Sequence, residues 1–177
     1  RPEVPAGEAF FYLLTYSGSS FAEKWQSVSE AIAKQGANAI LVSALDELAW
    51  ILNIRGNDVA YNPVAVGFAY LSATHRILFM NRCKISDEMA AYLQANGIET
   101  RPYDDIYDFL PQVPAGEQVF LDPVRTNFRL ASLLPANAKS QGASTRTCLT
   151  TLKTQPEING RRQPMVHHTH SVDPSPY

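Results

Sequence analysis

The residues best equipped for chemistry are three histidines near the end of the chain, His167, His168 and His170. Imidazoles this close together can take a soft or borderline metal ion. A catalytic metal needs about three ligands held by a rigid supporting shell, and the Pro- and Ser-rich stretch around these histidines has no apolar periodicity with which to build one. The cluster therefore reads as adventitious or tag-like. His75, the fourth histidine, falls in a short Ser-Ala-Thr-His connection and reads as an exposed turn residue. Asp104, Asp105 and Asp108 look like paired acids for general acid–base work. Their position at a helix start accounts for them more simply, because carboxylates there offset the positive end of the helix dipole. Ser43 stands beside Asp46 without a histidine nearby, and the S-x-x-D spacing points to a capping box, not a nucleophile. Cys83 and Cys148 have no adjacent base and read as ordinary thiols.

Polar, conformationally special and apolar residues concentrate in the segment 53–63. Arg55 has a planar fork suited to a carboxylate or to backbone carbonyls, Gly56 permits a positive φ, and Asn57, Asp58 and Asn62 can bond the backbone locally. Two readings fit these five residues equally well. One is a contact surface toward a neighbouring domain or subunit, and the other is a loop that satisfies its own polar groups.

These residues must be positioned by regular elements. Phe21, Trp25, Val28 and Ile32 recur at helical spacing after the N-cap candidates Ser19 and Ser20, which predicts a helix ending near Gly36. Ala39 to Val42 reads as a buried strand, and Ser43 to Asp46 as the start of a helix through Leu52 that carries Trp50 on its apolar stripe. Val64 to Leu71 and Arg76 to Met80 read as a hairpin. A helix from Ser86, a strand over Ile98 to Tyr103, a short helix over Asp104 to Leu110, a strand at Val119 to Leu121, a helix over Thr126 to Leu134 and a strand at Ala138 to Ser140 follow. Pro156 opens a last helix. This alternation predicts an α/β domain with a mixed, mostly parallel sheet of about six strands and helices on both faces. We divide the chain into an extended lead-in over 1–15, the α/β domain over 16–160 and a tail over 161–177.

Composition narrows the function classes. The 177 residues carry 15 Lys+Arg and 17 Asp+Glu, a net charge of −2, and 45% are apolar. No basic stripe is available for phosphates, so nucleic acid is not an expected partner. No apolar run approaches the roughly 20 residues of a membrane span, and no membrane partner is expected either. Two cysteines make no disulfide framework, and a cytoplasmic setting is the simpler expectation. Arg1 stands where an initiator Met would, and we expect a piece of a longer protein.

One string is specific enough to suggest a family. Val42-Ser-Ala-Leu-Asp-Glu-Leu-Ala-Trp-Ile-Leu-Asn-Ile-Arg-Gly-Asn-Asp58, followed by Tyr61-Asn-Pro63, closely resembles the second domain of three-domain Xaa-Pro aminopeptidases (aminopeptidase P), in the creatinase N-terminal superfamily. Tyr16-Ser-Gly18, Asp122-Pro123 with Thr126-Asn127, Leu152-Lys153 and Glu157-Ile158 agree in order. The resemblance implies a creatinase N-terminal-like fold and a parent enzyme that removes an N-terminal residue preceding proline. It also implies that the chemistry, metal-activated water acting at a pair of ions, commonly manganese, sits in a separate C-terminal domain. This segment would then bind no cofactor and would space and assemble the other domains of the same chain, with a homo-oligomer as a further partner. Two alternatives are a metal-free binding module related to histone-chaperone peptidase-like domains, and a free-standing small-molecule binder using a crevice at strand C-terminal ends. No dinucleotide or P-loop glycine motif supports a nucleotide version of the last.

Overall fold

The computed structural model describes residues 7–141, the last two by their backbone alone. In chain order the elements are β1 (Ala9–Phe11), α1 (Leu14–Ser17), α2 (Phe21–Ala33), β2 (Ala39–Val42), α3 (Leu45–Ile51), β3 (Ile54–Gly56), β4 (Phe68–Ser72), β5 (Arg76–Phe79), α4 (Asp87–Ala95), β6 (Glu99–Arg101), α5 (Ile106–Phe109), β7 (Val119–Leu121), α6 (Phe128–Leu133) and β8 (Lys139–Gln141). Six strands form one sheet in the order β6-β5-β4-β2-β7-β8. The pairs β5–β6, β2–β7 and β7–β8 are parallel, whereas β2–β4 and β4–β5 are antiparallel. The sheet is thus mixed and mostly parallel, as its alternating pattern implies.

Strand alternation divides the interior into two cores. Ile40, Val42, Ala69, Leu71, Leu78 and Phe120 point to one face, where they meet Phe21, Trp25, Val28 and Ile32 of α2, Leu48 and Ile51 of α3, and Met89 and Leu93 of α4. Ala39, Leu41, Phe68, Tyr70, Ile77, Phe79, Val119 and Leu121 point to the other, against Ile106 of α5, Leu110, Leu130 of α6 and Leu134. All four stripe residues of α2 are buried, Trp25 among them, while Trp50 is half-buried against the same core. Ser20 caps α2 with a full capping box, its side chain accepting from the Glu23 amide while the Glu23 carboxylate accepts from the Ser20 amide at 2.7 Å. That amide holds the Glu23 carboxyl below its ordinary pKa.

Three expectations need correction. The Ser43–Asp46 capping box does not form: Ala44 is the N-cap of α3, and the Ser43 hydroxyl turns across to the Arg125 carbonyl at 3.3 Å. Asp46 pairs instead with Arg125 at 2.7 Å, a charge-assisted bond that outcompetes a local amide. The first hairpin strand begins at Phe68, not Val64. The residues ahead of it are held instead by the loop after β3, the Asp58 amide donating to the Val64 carbonyl at 3.2 Å and the Val66 amide to Asp58 Oδ2 at 2.5 Å. The run from Ala9 is not a uniform extended lead-in either. Its first three residues are β1, paired antiparallel with β3 in a separate two-stranded sheet, and Leu14 starts a short helix. Ala9 lies in the main core.

Candidate functional site

The segment 53–63 is built around the C-terminal end of α3, where backbone carbonyls are left without intrahelical partners. Three side chains from three elements satisfy them. Arg55 Nη1 donates to the Ala49 carbonyl at 2.6 Å, Lys24 Nζ to the Trp50 carbonyl at 2.9 Å, and the Tyr92 hydroxyl to the Leu52 carbonyl at 3.0 Å. Two of the three are cations at the negative end of the helix dipole, where positive charge is favoured. Lys24 is 4% exposed, also donates to Asn53 Oδ1 at 2.5 Å, and lies 4.9 Å from the centroid of the Trp50 ring. Asn53 makes the turn out of the helix at φ 53°, a conformation that asparagine tolerates, and its amide donates to the Ser19 carbonyl at 2.9 Å. Burial raises the Tyr92 pKa, so its hydroxyl stays a donor.

The chain then runs as β3 beside β1 and turns. Asp58 carries the next junction. Its Oδ2 accepts from the Val66 amide at 2.5 Å and pairs with Lys84 Nζ. The other oxygen, Oδ1, is buried with no hydrogen-bond partner among the described residues, and a Cβ at Gly7 would come within 3.5 Å of it. Beyond Asp58 the turn closes through the Asn62 amide on the Val59 carbonyl at 3.2 Å. Tyr61 at its tip sits at φ 61° with its ring fully exposed.

The five candidate contact residues therefore divide. Arg55 is held on carbonyls and over the Tyr12 ring, 4.7 Å from its centroid. Gly56 is buried against Ala65, and Asp58 is held by Lys84 and Val66. Asn57 and Asn62 face outward.

The remaining candidates are scattered. Asp104, Asp105 and Asp108 are exposed around the start of α5, and Cys83 is an exposed free thiol. His75 lies at the hairpin tip with its Nδ1 at 2.9 Å from Thr74 Oγ1 and 3.5 Å from Glu117. Glu117, which sequence reasoning did not single out, also accepts from the buried Tyr70 hydroxyl and from Thr74 at 3.1 Å. Burial raises the Glu117 pKa, but hydrogen bonds from Tyr70, Ser72, Thr74 and His75 outweigh it and hold the carboxyl below its ordinary range. Burial first, and then the hydrogen bond to Glu117 and its charge, push the Tyr70 phenol far up, so it remains protonated. Cys148, His167, His168, His170 and the helix at Pro156 lie outside the described residues. Among the described residues no three His, Cys, Asp or Glu side chains come together to hold a metal ion. They do not fit a dinuclear centre, and no hydrolytic step is assigned to them.

The landmark Asp122-Pro123 with Thr126-Asn127 is also a structural junction. Asp122 Oδ1 accepts from the Val124 amide at 2.9 Å and its carbonyl from the Thr126 amide at 2.9 Å, and Asn127 caps α6 by accepting from Leu130. The adjacent cavity of about 380 Å³ is lined by Leu121, Pro123, Thr126, Phe128 and Ala131, with no charged group to orient a ligand. Among the described residues no helix is long and apolar enough to cross a membrane.

The described residues form a mixed α/β domain whose most distinctive string closes a helix and anchors a loop. The chain belongs to the creatinase/prolidase N-terminal domain family, whose model matches residues 1–157. It is 40% identical over 114 residues to a Coprinopsis cinerea protein named "Probable Xaa-Pro aminopeptidase P", covering 64% of this chain and 18% of the relative. It is 35% identical over 133 residues to Aminopeptidase P2 of Arabidopsis thaliana, covering 75% of this chain and 19% of that one. The chain thus spans about a fifth of the length of these relatives. In fold it is similar to the X-prolyl aminopeptidase of Caenorhabditis elegans, described as a cytosolic enzyme with a di-nuclear active site. The TM-score is 0.84 and the identity 22%, over 92% of this chain and 28% of that one. An Xaa-Pro dipeptidase from Bacillus anthracis matches with a TM-score of 0.58 at 18% identity, over 79% of this chain and 38% of that one.

Proposed function

We propose that this chain is a non-catalytic domain of an Xaa-Pro aminopeptidase, with a structural role in spacing and assembling the other domains of the same polypeptide. The observation that carries this reading is the pairing of a family match over residues 1–157 with a share of only about a fifth of its relatives' length. The internal bonding of Lys24, Arg55 and Asp58 Oδ2 supports it, because those contacts tie neighbouring elements together. We assign hydrolysis, and a pair of manganese ions, to a domain outside this chain. We place the end of the domain at residue 160 and a tail over 161–177, a division that falls outside the described residues. The cytoplasm is the proposed location, in keeping with the cytosolic C. elegans enzyme. Within the loop, Asn57 and Asn62 provide the outward contacts to a neighbouring domain or a second subunit, and Arg55, Gly56 and Asp58 hold them in place.

The test is a comparison of the purified 177-residue chain with the full-length gene product, each given manganese and an Xaa-Pro peptide. The full-length protein releases the N-terminal residue and the chain alone does not. Turnover by the chain overturns its non-catalytic role, and silence of the full-length protein overturns the aminopeptidase assignment.

A further inference from the structure

The two-stranded sheet of β1 and β3 has a buried face and an exposed one. On the buried face Ala9 is fully enclosed and the Phe11 ring stacks on Tyr92 at 5.2 Å between centroids. On the other, Phe10 stands opposite Arg55 and is 46% exposed. Apolar exposure continues through Leu13, the N-cap of α1, to Leu14 and Tyr16 within it, which are 51%, 57% and 58% exposed. The segment is pinned by its own backbone bonds, from the Tyr12 amide to the Asn53 carbonyl at 2.6 Å and from the Gly18 amide to the Leu14 carbonyl at 2.8 Å. Four large apolar side chains within seven residues on a fixed corner are an unusual thing to leave in water, since covering apolar surface is favourable.

We propose that the corner formed by Phe10, Leu13, Leu14 and Tyr16 is the seat of another domain of the same polypeptide. The proposal rests on the reading of this chain as one domain of a longer peptidase. Two observations choose this occupant. Residues 7–23 contain no Lys or Arg and two glutamates, Glu8 and Glu23, and Arg55, the cross-strand neighbour of Phe10, is already held on the Ala49 and Ile54 carbonyls and over the Tyr12 ring, so the corner has no uncommitted basic group to draw it to anionic lipid or to nucleic acid. About four-fifths of each relative lies outside the matched region, and a domain joined by a linker is present at an effective concentration near millimolar, ahead of any second copy.

Hydroxyl-radical footprinting of the full-length gene product tests this, with the free peptide of residues 7–18 as the reference for unprotected side chains. Phe10, Leu13, Leu14 and Tyr16 are oxidised several-fold more slowly in the protein than in the peptide, to the level of the buried Phe21, and the protection is unchanged on hundredfold dilution. Oxidation well above the level of Phe21 overturns the proposal. Protection lost on dilution assigns the patch to a second copy, and protection that appears only with phosphatidylcholine–phosphatidylserine vesicles assigns it to a membrane; either overturns it. Xaa-Pro peptide turnover is measured on the same sample. Turnover without protection sinks the docking corner alone, and protection without turnover sinks the aminopeptidase reading alone.

Discussion

Lys84 and Asp58 form an ion pair whose side chains are 0% and 1% exposed, joining the turn before α4 to the loop after β3 across 26 residues of sequence. Removing one partner leaves the other charge buried without compensation. Asp58→Ala should therefore cost about 3–5 kcal/mol, and the double variant Asp58→Ala/Lys84→Met should recover most of that loss. Urea unfolding midpoints of the four proteins in this cycle check it, and a single-variant cost below 1 kcal/mol would show that water reaches the pair.

Gly56 has no room for a side chain. A Cβ there would lie 2.8 Å from the Ala65 Cβ and 3.3 Å from the Val64 carbonyl oxygen. Gly56→Ala should destabilise by about 1–3 kcal/mol through overpacking. Thermal melts decide the sign, and a stabilised variant would mean that the 64–65 backbone yields freely.

Glu117 makes stability depend on acid. Its folded pKa lies below the ordinary 4.5, so its contribution is fully present above that value and is lost as the pH falls through the lower folded value. Glu117→Gln should flatten the fall in stability below about pH 4.5 and change little in its slope near neutrality. Tyr70→Phe, which removes one of the bonds holding the carboxylate, should weaken the same acid limb by part of that amount. Denaturation at a series of pH values reads both, and an unchanged acid limb in Glu117→Gln would refute the assignment.

Tyr61 occupies a left-handed conformation with its ring in solvent, so the folded domain gains nothing visible from the tyrosine. Relief of the backbone strain outweighs the added freedom of glycine in the unfolded chain, and Tyr61→Gly should stabilise the chain by about 0.5 kcal/mol. A loss of stability in differential scanning calorimetry would show that the ring has an intramolecular contact.

Much of the fold is legible where neighbours in sequence are neighbours in space. The α2 stripe, the Ser20 cap, the β4–β5 hairpin and the Val119–Leu121 strand each follow from short-range periodicity. Long-range pairing is not written locally, so β1 and β3, some 45 residues apart, gave no shared signal. The same holds for Lys84, which looks like an ordinary surface lysine until Asp58 is brought to it. Lys24 could have been found: it lies three residues after Phe21 and four before Val28, on the apolar stripe, where a charged side chain requires a buried acceptor. Ser43 misled because S-x-x-D fixes a spacing but not which competitor wins the carboxylate, and Arg125 arrives from 79 residues away.

The strand order has a bearing on how molecules of this kind behave in a crowded solution. Its described outer strands are β6, Glu-Thr-Arg, and β8, Lys-Ser-Gln, each three residues long and polar throughout. Short charged rims offer a poor template for another chain to extend the sheet. The hydrophobic strands capable of templating such growth, β4 and β2, are enclosed at the centre. Intermolecular β-polymerisation through this six-stranded sheet is thereby discouraged at both described rims.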